Sequence, residues 1–104
     1  MATVKINGQN FRKEVTESKI PVLVDFYAGW CTPCRMLSPV LEDISEELMG
    51  EVKIARVDVM EESELADKFH ILNLPTMVIF RGGVVTDTLV GAAGKQQIME
   101  LFGS

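Results

Sequence analysis

Residues 24–44 read VDFYAGWCTPCRMLSPVLEDI, and the change of pattern inside this stretch decides the fold. Up to Ala28 the chain is nearly continuously apolar, as in a strand covered on both faces. From Pro33 onward Leu37, Val40, Leu41, Ile44 and then Leu48 recur at the spacing of one helix face, with Gly50 as the expected stop. The chain's two cysteines, Cys31 and Cys34, fall at the junction of strand and helix, framed by Trp30 and separated by Thr32 and Pro33.

Outward from this junction the two periods alternate. TVKI near the N-terminus predicts a short strand, and Phe11 and Val15 lie one turn apart on a short helix. Pro21 opens the strand that leads into the cysteines, a position where a proline is tolerated. EVKIARVDV predicts a second buried strand, Ser63 a helix cap ahead of Leu65 and Phe69, and TMVIF a third strand. Gly82 and Gly83 supply the positive φ of a tight turn into VVTDTLV, and a last helix begins near Lys95 with Ile98, Leu101 and Phe102. The order is βαβαβαββα, an α/β chain with a central mixed sheet and helices on both faces. At 104 residues it is one domain, residues 1–104, with a core large enough to need no staples.

Composition narrows the function. With 47% hydrophobic and 24% charged residues the chain should fold alone. A net charge of −5 is the wrong sign for a surface that tracks phosphates, so nucleic acid is not an expected partner. MATVKINGQNF lacks the basic and apolar regions of a signal peptide, and no apolar run has the length of a membrane span. The expected compartment is the cytoplasm, with no membrane partner.

Two cysteines at i and i+3 in the first turn of a helix are close enough to form a disulfide and to open it with little backbone motion. The helix start aims free N–H groups and the positive end of the dipole at Cys31, which favours its thiolate and makes it the nucleophile. Cys34, one turn further in, is placed to resolve the mixed disulfide. The same spacing also serves half a zinc site, for which His70 is the one further Cys or His ligand, or a structural disulfide, which a reducing compartment disfavours.

The chain resembles the thioredoxin family over nearly its whole length: VDFYAGWCTPCRMLSPVLEDI, then LPT, FRGGVV and VGAAGK stand in that family's order. The resemblance implies the thioredoxin fold and a reductase of disulfides in oxidised client proteins. It implies re-reduction by a thioredoxin reductase, with no bound cofactor and no metal, in a monomer. Asp25, inside an apolar run, matches the family's buried proton acceptor for the resolving cysteine; a place on a wet strand face is the alternative. Arg56 falls where the family often has a lysine near that acid, and would either hold its pKa down or sit solvated at a strand end. Pro75 matches the family's cis proline, against the general preference for trans. Trp30, Leu74, Pro75, Thr76, Gly91 and Ala92, within the surface that runs from Trp30 to VGAA, would dock clients.

Thr32 and Pro33 would tune the pair. Thr32, Tyr27, Leu72 and Asn73 depart from common family residues, which bears on potential and client choice rather than reaction class. Pro39 should kink the long helix, His70 reads as a surface cap at a helix end, and the six methionines as core filler. The rival readings are a secretory-type oxidase or isomerase, and a thioredoxin-fold binding subunit that does not need its thiols. A glutaredoxin would carry Pro-Tyr between its cysteines, where this chain has Thr32 and Pro33.

Overall fold

A computed structural model describes residues 2–103. The strands are β1 (Val4–Lys5), β2 (Val22–Tyr27), β3 (Lys53–Asp58), β4 (Thr76–Arg81) and β5 (Val84–Val90), and the helices α1 (Thr32–Glu47), α2 (Ser63–Lys68) and α3 (Lys95–Glu100). A single π-helical turn, Arg12–Thr16, stands where the first short helix is expected, so the predicted order βαβαβαββα is the observed one. The sheet order is β1-β3-β2-β4-β5, with the first three strands parallel, β4 antiparallel to β2 and β5 antiparallel to β4.

Alternation along the central strands sorts the core into two layers. Val22, Val24 and Phe26 of β2, with Ala55, Val57, Val78 and Phe80, face the π-turn residues Phe11 and Val15 and Leu65 of α2. Leu23, Ile54, Met77 and Ile79 face Leu37, Leu41 and Ile44 of α1 and Ile98 of α3. By the same alternation Asp25 and Arg56 belong to the α1 layer, and they are direct register partners across β2 and β3. Both faces being covered explains why β2 and β4 read as unbroken apolar runs.

Several ends differ from expectation. β2 starts at Val22, and Pro21 contributes only its carbonyl, which accepts from Lys53 N–H at 2.8 Å. Ser63 is the first helical residue of α2; Glu62 holds the cap position and no side chain caps the helix. The end of α2 is closed by backbone rather than by a histidine charge. His70 lies in the left-handed region at φ 55°, its N–H donates to Asp67 O at 3.1 Å, and Ile71 N–H donates to Ala66 O at 3.0 Å. That pairing is a Schellman closure, in which the left-handed residue is usually glycine. α1 runs through Pro39, which has no N–H to give the carbonyl of Arg35. Methionine is also more exposed than expected: Met77 is core, but Met36, Met49 and Met60 are on the surface. In the β4–β5 turn Gly82 and Gly83 have φ 60° and 81°, and a Cβ on Gly83 would come within 2.9 Å of Thr16 O, so only glycine fits.

Candidate active site

Cys31 is the N-cap of α1, with extended backbone at φ −89° and ψ 109°, and Pro33 follows inside the first turn, where a missing N–H costs nothing. The Cys31 N–H donates to Ala28 O at 3.2 Å, and Cys31 O accepts from Arg35 N–H at 3.1 Å, so both flanks of the residue are fixed. Its Sγ accepts from the Cys34 N–H at 3.3 Å. Cys31 and Cys34 are joined as a disulfide with their Cα atoms 5.3 Å apart. Cys31 keeps 6% of its surface exposed and Cys34 none, so a disulfide partner in solution reaches Cys31 alone. A sulfur at a helix N-terminus, facing free N–H groups, is better stabilised as thiolate than as thiol.

On β2, which leads into the cysteines, Asp25 is fully buried. The wet-face alternative is thereby excluded, and Arg56 is no solvated strand end: its Nε donates to Asp25 Oδ2 at 3.1 Å. The guanidinium also donates through Nη1 to Ser38 Oγ of α1 at 2.9 Å and lies 4.1 Å from the centre of the Tyr27 ring. A planar fork can make these contacts together, where an ammonium would make one or two. Oδ1 of Asp25 is buried with no hydrogen-bond partner among the described residues. Burial pushes the Asp25 carboxyl up from its ordinary 3.8 to about 6; Arg56, by charge and hydrogen bond, limits the rise.

Around the cysteines, Ala28 completes a small buried cluster against which Tyr27, Val59 and Leu74 pack. The Leu74–Pro75 peptide is cis. Pro75 O accepts from Gly91 N–H at 2.8 Å and the Thr76 hydroxyl donates to Asn73 O at 2.6 Å, which fixes this loop against the end of β5. Neither backbone polar group of Leu74 is hydrogen-bonded among the described residues. Trp30 is 69% exposed and Ala92 is exposed, whereas Gly91 and Leu74 are half-buried and Pro75 and Thr76 buried. The Thr32 side chain is exposed and hydrogen-bonded to nothing among the described residues. The sequence reading thus named the residues that gather here but missed Ser38, Val59, Asp67 and Ile71. Ser38 had a signal, since it stands one turn after Cys34 on the same helix.

Comparison with known proteins agrees with this geometry. The family model described as Thioredoxin matches residues 2–103. Thioredoxin 1 of Nostoc sp. is 38% identical over 99 residues, covering 95% of this chain and 92% of its own length. Thioredoxin C-2 of Corynebacterium nephridii is 43% identical over 95 residues, covering 91% and 88%. The bifunctional thioredoxin reductase/thioredoxin of Mycobacterium leprae is 40% identical over 97 residues, which is 93% of this chain and 21% of that protein. The match spans the fold from end to end and includes the strand-to-helix junction that carries the cysteines. The chain therefore belongs to the thioredoxin family, and it is a protein-disulfide reductase that works through the redox-active pair Cys31 and Cys34.

Proposed function

We propose that this chain, as a single thioredoxin domain and a monomer of the cytoplasm, carries two electrons from a thioredoxin reductase to oxidised client proteins. The Cys31 thiolate attacks a client disulfide; one Cys31–client S–S bond forms, the client S–S bond breaks, and the first client sulfur leaves as thiolate. Asp25, ionised at neutral pH, takes the proton of the Cys34 thiol on Oδ1, the oxygen that Arg56 leaves unengaged. The Cys34 thiolate attacks Cys31 Sγ, the intramolecular disulfide forms, and the second client sulfur leaves. The client gains two electrons and the Cys31–Cys34 pair loses two. The sulfurs hold the electrons, so the cycle needs no bound cofactor.

The observation that carries this reading is the unequal exposure of two bonded cysteines at one helix start, 6% for Cys31 and none for Cys34. Leu74 supports the client's approach, since its free backbone groups suit pairing with an extended segment beside Cys31. Trp30, Pro75, Thr76, Gly91 and Ala92 border that approach, and Thr32, Pro33 and Arg56 tune the pair. The M. leprae relative, whose name joins reductase and thioredoxin, supports a thioredoxin reductase as electron donor. The test is insulin reduction driven by NADPH and a thioredoxin reductase. Turnover that disappears in Cys31→Ser is expected; turnover that survives with both cysteines changed to serine refutes the reading.

A further inference from the structure

A groove of about 640 Å³ opens beside Cys31, between the turn that carries Trp30 and the α2 helix with the loop after it. That volume is within the range of pockets that take a small ligand or a long side chain. Val59, Ile71 and Leu74 give it an apolar stretch of wall beside the polar Thr32, Ser63 and Asn73, Trp30 contributes an exposed indole, and among the described residues Asp67 is the one charged side chain lining it. Asp67 is exposed, and its carboxylate has no ion pair or hydrogen bond among the described residues. Glu61 pairs with Lys5 at 3.2 Å and Glu62 accepts from Gly8 N–H at 3.1 Å, while Glu64, also unpaired among the described residues, lies outside the groove. The adjacent cation does not neutralise Asp67, because Lys68 Nζ lies over the rings of Phe11 and Phe69 at 5.8 and 5.6 Å.

An apolar wall, an exposed indole and one unpaired carboxylate are complementary to a long side chain with a methylene stem and a cationic head. The stem covers apolar surface while the head stays near water and the acid. A guanidinium can also lie against the indole face. An acidic side chain would be repelled here, and a short apolar one would leave Asp67 as it is. Resting on the reductase reading above, we propose that this groove selects client disulfides flanked within a few residues by arginine or lysine, with Asp67 as the specificity-determining residue. The net charge of −5 attracts cationic clients in general; Asp67 gives that attraction a location next to the nucleophile.

The experiment compares disulfide-linked peptides that differ only in carrying arginine, norleucine or glutamate beside the cysteine, at either side, with the neutral hydroxyethyl disulfide as a substrate too small to reach the groove. For the wild type, kcat/KM should be about threefold higher for arginine than for norleucine, the scale of a partly exposed ion pair, lowest for glutamate, and should converge at high salt. Asp67→Asn should abolish the arginine advantage and Asp67→Lys reverse it, each read as the ratio of arginine to norleucine peptide within one variant, so that any general effect of the charge on Cys31 cancels. Glu64→Gln, which removes the same charge from an exposed site on α2 outside the groove, should keep the advantage. Equal rates on all three peptides with normal hydroxyethyl disulfide reduction overturn this inference and leave the reductase reading standing. An arginine advantage that survives in Asp67→Asn overturns it as well, by assigning the preference to overall charge. No reduction of any substrate removes the reductase reading and this inference with it.

Discussion

Replacing Asp25 by alanine should raise the stability relative to the wild type as pH rises toward 7, and the size of that rise follows from the burial of the carboxyl. The carboxyl is pushed up from 3.8 to about 6 in the fold, with burial the larger cause and Arg56 opposing it. Between those two values the folded state binds a proton that the unfolded state has released. Stability attributable to Asp25 is therefore complete below about pH 3.8 and is lost as pH rises through about 6. At about 1.36 kcal/mol per pH unit, the whole loss is about 3 kcal/mol. Urea unfolding of the oxidised wild type and of Asp25→Ala, measured from pH 4 to pH 8, isolates this quantity because every other titrating group cancels in the difference. The stability of the variant minus that of the wild type should climb by about 2.5 kcal/mol between pH 4 and pH 7, then level off. The small cavity and the loss of one Arg56 partner displace the whole curve without changing its slope, and Arg56 keeps Ser38 and Tyr27. A difference that changes by less than about 1 kcal/mol across this range, or that falls with pH, would refute the reasoning about burial.

Arg56→Met removes the influence that holds the Asp25 carboxyl down, so the inflection in the same pH series should move above about 6, and a downward move would show that Arg56 does not act on the acid. Cys34→Ser should accumulate client mixed disulfides at Cys31, and alkylation of the reduced wild type should label Cys31 first; faster labelling of Cys34 would reverse the two roles. His70→Gly relieves a left-handed φ of 55° and should raise urea stability by about 0.5 to 1 kcal/mol, against a chain-entropy cost that keeps the gain small; a loss would mean the histidine side chain stabilises the α2 end. Thr32→Gly should shift the reduction potential, measured against glutathione buffers, by no more than about 60 mV, since one charge-assisted hydrogen bond is at most about 3 kcal/mol and about 1.4 kcal/mol is 30 mV; a larger shift would give Thr32 more than one bond's influence.

The element order and the two-layer core were legible because burial imposes a period on the chain, and Phe26, Leu41 and Ile79 carry it. The features that sequence left open depend on contacts between distant segments or on backbone geometry that the residue type does not signal. The residues around Pro75 favour trans and only the family resemblance implies cis; the group its carbonyl meets, Gly91 N–H, lies sixteen positions along the chain. The Schellman end of α2 needed a left-handed residue, and a histidine gives no such signal where a glycine would. β5 is an edge strand: Leu89 packs against the α1 and α3 layer, while Val84, Val85 and Val90 stay exposed.

Asp25 and Arg56 show how register turns a local oddity into a working site. An acid inside VLVDFY violates the apolar pattern of β2, and burying it unpaired would cost several kcal/mol. The parallel register with β3 sets Arg56 directly beside it, and α1 brings Ser38 to the other arm of the guanidinium. Full neutralisation by Arg56 would have held the carboxyl near or below its ordinary value, leaving a poor proton acceptor for a thiol. The guanidinium is instead divided among Asp25, Ser38 and Tyr27, and one carboxylate oxygen stays unengaged. Burial consequently outweighs the ion pair, and the acid titrates close to neutrality, which suits the proton transfer from Cys34 that we propose. The instability expected from Asp25 at neutral pH and its basicity toward Cys34 have one physical origin, which is why the pH series on Asp25→Ala and the rate of mixed-disulfide resolution should share an inflection near 6.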